Sequence, residues 1–282
     1  LLKKKYKVIS ISLNKPKKKR FLRTLNYLTC DIGKYSSLQK KLNYSFDYVI
    51  NCGGYVNHYN NKQNFNTHFK GTKNLIKVLK KKKFNKFIHI GSSLEYGKIR
   101  SPNLETSKCI PEMSYGLNKL KASKYLLNEF KKNNLPVVIL RLYQLYGTHQ
   151  DNNRFIPFVI SSCLKGKIFP CSNGIQKRDF LYVNDAVKAI YKSMVAKNTD
   201  GKLINLGFGK AIQIKKIIQK IRSKVKKGEP KFGVIKMRKE EQGIIYPNIE
   251  LANKILKWKP TTNLDVGLAK TINFYKNLKE EK

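Results

Sequence analysis

The sequence predicts an α/β fold, a doubly wound parallel sheet that carries a smaller C-terminal lobe, and three observations lead there. Short apolar runs rich in β-branched and aromatic residues alternate with longer amphipathic segments from the first residues to about Gly207. After Gly147 the texture changes to helical segments separated by short, turn-rich stretches. The chain has 282 residues with a hydrophobic share of 41%, enough to bury a substantial core. Alternation of this kind reads as parallel strands with helices on both faces, because each crossover between parallel strands needs room for a helix.

Taken in order, residues 1–8 read as the end of a helix running into a strand over 6–12. Further strands are expected at 26–30, 48–52, 86–91, 136–141 and 203–206, and helices at 37–42, 64–82, 114–132 and 184–196. Beyond Gly147 a helix is expected at 152–166, a turn-rich stretch at 167–179, and helices at 213–225, 250–256 and 264–278. The expected domains are 1–150, to which 180–210 returns, and an interleaved lobe over 151–282. Ligands of such sheets settle in the crevice beyond the strand C-termini.

The net charge is +42. A field of that sign draws nucleic acid, anionic surfaces or phosphorylated substrates. Its distribution decides between them: lysine runs at 3–5, 17–20, 80–83 and 224–227 are joined by single lysines on nearly every expected helix. A nucleic-acid footprint clusters on one face, so this dispersed pattern is a solvated surface, and nucleic acid is not the expected partner. No apolar run reaches the roughly 18 residues of a membrane span and no signal peptide stands at the start, so the expectation is a cytoplasmic protein without a membrane partner. The five cysteines, Cys30, Cys52, Cys109, Cys163 and Cys171, are scattered and contain no Cys-x-x-Cys pair, which speaks against a disulfide framework or a metal site.

The chemistry centres on Tyr115-Gly-Leu-Asn-Lys119. At i and i+4 of a helix the two side chains share a face, and an ammonium beside a phenol favours phenolate, lowering a pKa that is ordinarily about 10. Tyr115 then serves as an acid or base near neutrality. Ser92, at the end of a strand, offers a hydroxyl to the same substrate oxygen. Any lysine-rich helix produces this spacing by chance, so the surrounding sequence has to carry the reading.

It does so in several words in a fixed order. Asp47-Tyr-Val-Ile-Asn-Cys-Gly53-Gly54, Gly71-Thr-Lys-Asn-Leu75, Phe87-Ile-His-Ile-Gly-Ser92-Ser93-Leu-Glu-Tyr96-Gly97 and Ser114-Tyr115-Gly-Leu-Asn-Lys119 are followed by Leu140-Arg-Leu-Tyr143-Gln144-Leu-Tyr146-Gly147. Gln176-Lys-Arg178-Asp179-Phe-Leu-Tyr-Val-Asn-Asp185 and Trp258-Lys-Pro260 complete the set. Together they resemble the extended short-chain dehydrogenase/reductase family, the nucleotide-sugar epimerases, dehydratases and reductases, from Leu1 to about Lys276. The resemblance implies a Rossmann-like domain, a homodimer through the helices at 64–82 and around Tyr115, and a role in glycan or surface-polysaccharide synthesis.

It also implies roles. Tyr115 would exchange a proton with the sugar oxygen, Lys119 would bind the cofactor ribose and depress the phenol pKa, and Ser92 would orient the oxygen, while hydride passes to or from a nicotinamide. Cofactor contacts fall on Ser12, Asp31, Ile32, Gly53, Gly54, Tyr115, Lys119 and Tyr143. Substrate contacts fall on Ser93, Gln144, Asn153, Arg154, Arg178 and Arg238, the arginines because a guanidinium pairs bidentately with a diphosphate. No metal ligands are expected. Gln144 replaces the family's usual Asn, and His68 stands where Asn usually precedes Gly-Thr, with no catalytic role assigned to it.

The cofactor is expected to be NAD or NADP, with a lean to NADP, because Ser12 followed by Lys15 and Lys17 lacks the acidic group that would repel a 2′-phosphate. The sequence shows no Gly-x-x-Gly-x-x-Gly turn for the pyrophosphate, so the first strand and phosphate loop are expected to be missing from it by truncation. The partner is a nucleotide-diphosphate sugar. The family's 4,6-dehydratases follow their catalytic hydroxyl with Asp and Glu, an acid and a base for eliminating water, whereas this chain has Ser93 and Leu94. A 4-keto reductase or 4-epimerase is therefore expected, with a 4,6-dehydratase or an RNA-binding protein on an inactive dehydrogenase scaffold as alternatives.

Overall fold

A computed structural model of the chain describes residues 1–16, 18–57, 59–237 and 242–280. Its strands are β1 Ile9–Ser12, β2 Asn26–Thr29, β3 Tyr48–Asn51, β4 Lys86–Ser92, β5 Val137–Leu142, β6 Gln144–Tyr146, β7 Ile168–Pro170, β8 Lys177–Tyr182, β9 Lys202–Leu206, β10 Ala211–Gln213, β11 Glu229–Lys231 and β12 Ile244–Ile245. Its α-helices are α1 Tyr35–Lys41, α2 Asn61–Asn64, α3 Gly71–Leu79, α4 Ser114–Asn133, α5 Phe155–Leu164, α6 Val183–Val195, α7 Ile214–Val225, α8 Glu250–Leu256 and α9 Leu264–Glu280. A π-helical stretch, Phe65–Lys70, joins α2 to α3, so the helix expected at 64–82 runs from Asn61 to Leu79. It starts early because the Asn60 side chain accepts the Gln63 N–H at 3.0 Å. β1 starts later than expected because Lys5, at φ 60°, closes a 3₁₀ turn over Leu2–Lys4.

The chain divides into two compact units. The first holds Leu1–Lys98, Lys108–Arg141 and Ile190–Ile204, and the second Ile99–Ser107, Leu142–Ala189 and Asn205–Lys282. In the first, β1 and β2 pair in parallel from Ile9↔Asn26 to Ser12↔Thr29. A four-stranded sheet runs in the order β3-β4-β5-β9, with β3 and β4 parallel from Tyr48↔Lys86 to Asn51↔His89. Among the described residues no strand joins these two sheets. β4 is flanked on both sides and buried along nearly its whole length, which is why its apolar residues Phe87, Ile88 and Ile90 fall on both faces and do not alternate with exposed polar ones. Leu38, Ile76, Leu79, Phe87, Leu126, Val137 and Ile139 meet in one core, so α1, α3 and α4 bury their apolar stripes on strand side chains. Each such side chain contributes about 1.5–3 kcal/mol.

Lys86 breaks the apolar run at the start of β4, and its buried ammonium is compensated. Its Nζ donates to the Ala196 carbonyl and the Thr199 hydroxyl, each at 2.6 Å, and lies 3.4 Å from Asp200. This ties the chain after α6 to the sheet.

In the second unit β8 is the hub. It pairs antiparallel with β10 (Ala211↔Asp179) and parallel with β6 (Gln144↔Phe180) and β12 (Ile244↔Lys177), while β7 and β11 form a separate parallel pair. Ile156, Val159, Ile160, Ile217, Ile218, Ile221, Leu268 and Tyr275 from α5, α7 and α9 build its core. The stretch expected to be turn-rich at 167–179 thus contains β7 and the start of β8. Asp185 anchors the later chain by accepting the Thr262 N–H at 2.8 Å and the Thr261 hydroxyl at 3.0 Å, while its carbonyl accepts the Trp258 indole N–H at 3.0 Å. Among the described residues no helix is long and apolar enough to cross a membrane.

Candidate active site

The strand ends of the first unit gather most of the residues singled out in the sequence. β4 delivers Ser92 in extended conformation (φ −147°, ψ 145°), and a single 3₁₀ turn, Ser93–Glu95, follows at once. The Ser92 hydroxyl accepts the Leu94 N–H at 3.2 Å, and Glu95 Oε1 accepts the Ser92 N–H at 2.8 Å, a capping box on a very short turn. Ser93 is half-buried beside them.

α4 brings Tyr115 and Lys119 to this turn. The approach is close: a Cβ on Gly116 would stand 2.4 Å from the Leu94 carbonyl oxygen, so the first turn of the helix packs backbone against backbone only because residue 116 is glycine. Tyr115 is half-buried, and the His68 ring meets its ring edge-on at 4.9 Å between centroids. Lys119 is buried, and its Nζ donates to the Ile90 carbonyl at 2.7 Å, two residues before Ser92. Burial pushes the Lys119 ammonium down to about 8, against the Glu95 carboxylate and the Cys52 sulfur, which hold it up.

Beneath this face runs a buried polar chain. Asn51 Nδ2 donates to the Thr72 hydroxyl and is hydrogen-bonded to His89 Nδ1, both at 3.2 Å, and Thr72 donates to the His68 carbonyl at 2.6 Å. Burial, with the Lys119 and His68 charges, holds His89 well below the usual imidazole range, so it is neutral. His68 Nε2 is hydrogen-bonded to the Tyr55 carbonyl at 2.8 Å.

The expected cofactor residues Asp31, Ile32, Gly53 and Gly54 come together at the ends of β2 and β3. Asp31 Oδ1 accepts the Gly33 N–H at 2.8 Å, and Asn74 Nδ2 donates to the Ile32 carbonyl at 2.9 Å. A Cβ on Gly53 would stand 3.3 Å from Ile32 Cδ1, and one on Gly54 would stand 2.5 Å from His68 Cε1. These exposed glycines keep a backbone shelf clear of side chains, which fits a flat ring or a ribose lying against the strand end. Ser12 is exposed at the end of β1, its hydroxyl donating to the Asn14 carbonyl at 2.6 Å.

The other expected residues lie in the second unit. Tyr143 is buried, and its hydroxyl donates to Asn103 Oδ1 at 2.9 Å. Gln144 is exposed at the start of β6, Asn153 is exposed, and Arg154 is the N-cap of α5. Arg178, half-buried on β8, donates from Nη1 to the Lys177 carbonyl at 2.8 Å. Arg238 lies outside the described residues.

The sequence marks Glu95 only as a strand-end carboxylate that could equally face solvent, and it gives Ser123 and Arg141 no role. Ser123 Oγ donates to Glu95 Oε2 at 2.8 Å and Arg141 Nε donates to the same oxygen at 2.9 Å, all three side chains being buried. One signal was present: Tyr115, Lys119 and Ser123 are spaced i, i+4, i+8, one stripe of α4.

A parallel sheet clothed in helices, with glycines and hydroxyls collected at its strand ends, defines a nucleotide-binding α/β protein of Rossmann type. Within that class, the chain belongs to the NAD-dependent epimerase/dehydratase family, whose sequence profile matches residues 1–207. It is 28% identical over 265 residues to a putative UDP-glucose 4-epimerase of Methanocaldococcus jannaschii, with 89% of this chain and 84% of that protein covered. It is 31% identical over 181 residues to a dTDP-4-dehydro-6-deoxyglucose reductase of Escherichia coli, covering 63% of this chain and 57% of that one. Among solved structures, the UDP-glucuronic acid 4-epimerase of Bacillus cereus, in complex with UDP-glucuronic acid and NAD, superposes with a TM-score of 0.86 at 25% identity, over 99% of this chain and 94% of that one.

Proposed function

We propose that this protein is an NAD(P)-dependent nucleotide-sugar 4-keto reductase or 4-epimerase, with Ser92, Tyr115 and Lys119 handling the proton. The observation that carries the choice of reaction is the surroundings of Ser92. Elimination of water needs an acid and a base beside the reacting carbons, and the two residues that follow Ser92 are a hydroxyl and an alkyl group, Ser93 and Leu94. The nearest carboxylate, Glu95, is wholly buried and already accepts from Ser92, Ser123 and Arg141. Oxidation of a carbinol or reduction of a ketone at one carbon would need, besides the cofactor that exchanges the hydride, only the phenol, the ammonium and the orienting hydroxyl.

The cofactor would supply the hydride acceptor or donor. Asp31 and Ile32 would hold its adenosine, Gly53 and Gly54 its passage across the strand ends, and Lys119 a ribose. Ser12 and Lys15 at the end of β1 support NADP, since a hydroxyl and a cation accept a 2′-phosphate that a carboxylate would repel. Tyr143 is a further cofactor contact, while Gln144, Asn153, Arg154 and Arg178, with Ser93, are the substrate contacts. The 4-epimerase and 4-keto-sugar reductase relatives support a nucleotide-diphosphate sugar as the substrate. Exposed Phe65 and Leu117, on the helical stretch over 61–79 and on α4, support a homodimer through these helices.

The test is a product-resolved assay of the purified protein with UDP-sugars and with dNDP-, GDP- and CDP-4-keto-6-deoxysugars. Epimerisation or NAD(P)H oxidation is expected with at least one of them, and Tyr115→Phe lowers that kcat by about a hundredfold or more. Silence across the whole panel sinks the proposal.

A further inference from the structure

Resting on that reading, we infer that Glu95 is a positioning residue: its one buried carboxylate ties the backbone of Ser92 to the catalytic helix and so fixes where the serine hydroxyl sits relative to Tyr115 and Lys119. Each half of the carboxylate has a separate task. Oε1 accepts the Ser92 N–H at 2.8 Å, which holds the serine at the mouth of the 3₁₀ turn. Oε2 accepts from Ser123 at 2.8 Å, and Ser123 lies one helical turn beyond Lys119 on the same stripe of α4. Arg141 Nε, at 2.9 Å from Oε2, balances the charge from β5, and its guanidinium carbon lies 4.3 Å from the centre of the Tyr96 ring. A Cβ on Gly91 would stand 2.6 Å from Glu95 Oε1, so the strand makes way for the carboxylate.

Stability alone does not account for this arrangement. The Glu95 side chain is 0% and the Arg141 side chain 2% exposed. Removing two charges from water costs several kcal/mol per ion, and an apolar pair of similar volume often does as well or better. What the apolar pair lacks is a directional acceptor for the serine amide and the helix hydroxyl at once.

The same carboxylate acts on Lys119 through space. The groups in the field of that ammonium are Glu95, the Cys52 sulfur and the buried, neutral His89, with the Tyr115 phenol one turn away on the same face of α4 and the Ile90 carbonyl as its hydrogen-bond acceptor. The groups around Glu95 are Arg141, Ser123 and Ser92, with Tyr96 and Cys109 beyond Arg141. Removing the Glu95 charge removes the larger of the two influences that oppose burial, so Lys119 loses its proton at lower pH.

Glu95→Gln keeps the shape and removes the charge. The expected result is a kcat lowered by about tenfold or more, KM values for nucleotide sugar and cofactor within about threefold, and an alkaline limb of the kcat profile moved to lower pH. Ser123→Ala cuts only the tie to α4, so kcat falls while the alkaline limb stays in place. Glu95→Gln with Arg141→Met removes both charges together, keeps the fold without a lone buried ion, and retains the kcat defect. Titration of the Lys119 ε-carbon by NMR, assigned by its loss in Lys119→Met, needs no turnover, and the resonance titrates at lower pH in Glu95→Gln than in the wild type. A wild type that converts no nucleotide sugar refutes the proposed function, and the Lys119 titration still decides the role of Glu95. An unchanged kcat in either folded Glu95 variant, or an unmoved Lys119 titration, overturns the inference.

Discussion

Asp179 illustrates how one buried residue makes the fold sensitive to pH. Its carboxylate, 1% exposed, accepts the N–H groups of Phe208, Gly209 and Lys210 at 2.7, 2.6 and 3.1 Å, closing the turn between β9 and β10. Burial wins over these donors and pushes its pKa from 3.8 up to about 6. The sign follows: in that window the folded chain holds a proton that the unfolded chain has released, so this group's contribution to stability falls as pH rises from 3.8 to about 6. Asp179→Asn does not titrate and leaves one of the three donors without its acceptor, a cost of about 1–3 kcal/mol. The wild type's advantage over Asp179→Asn is therefore greatest near pH 4 and shrinks by about 3 kcal/mol by pH 7. Urea denaturation of both proteins across that range measures the gap, and a gap that is constant with pH refutes the account.

At the scale of elements, α4 carries Tyr115 and Lys119 of the candidate site, and Gly116 decides how closely it packs. In an exposed helix interior alanine is better than glycine by about 1 kcal/mol. Here the added carbon would lie 2.4 Å from the Leu94 oxygen and 3.1 Å from Pro111 Cβ, and the first of these neighbours is backbone that cannot swing away. Overlap costs about 1–3 kcal/mol and outweighs the propensity gain. Gly116→Ala is expected to lower the melting temperature and, by pushing Tyr115 off the Ser93–Glu95 turn, to reduce kcat more than KM. A variant more stable than the wild type would show that propensity governs this position. The helix itself was legible, expected at 114–132 and found at Ser114–Asn133, because a long amphipathic stripe leaves a strong periodic signal. The same holds for β4, an apolar run ending at Ser92. Strands of two or three residues, such as β6, β7, β10 and β12, hold at most one repeat of the two-residue alternation and left no trace in the pattern. Glu95 was visible as a residue, but its burial was not. Whether a carboxylate at a strand end faces water or an arginine depends on Arg141, 46 positions away, and only the folded sheet brings the two together.

For the molecule as a whole, the dominant physical fact is an excess of 59 lysines and arginines over 17 acidic residues. A charge of that size adds little to specificity at any single contact, since exposed cations are screened and mobile. Its effect is on encounter: a diphosphate approaching the protein is attracted over a Debye length of about 10 Å at 0.1 M salt and about 3 Å at 1 M. Steering acts before the substrate is bound, so it enters kcat/KM and not kcat. For the nucleotide-sugar reaction, kcat/KM is expected to fall several-fold between about 0.05 and 0.5 M salt while kcat is unchanged. Binding to RNA through a built groove would behave differently, with log affinity falling against log salt by about 0.7 for every phosphate neutralised on a single strand. An RNA oligomer whose affinity drops with a slope of many phosphates, and survives at physiological salt, would point to such a groove. The dispersed lysines predict instead that RNA binding seen at low salt is lost there, because charges spread over every helix cannot all face one strand. Steady-state kinetics and RNA anisotropy measured over one salt series separate the two, and a kcat that falls in step with kcat/KM would show that the charge acts on the bound site and not on the approach.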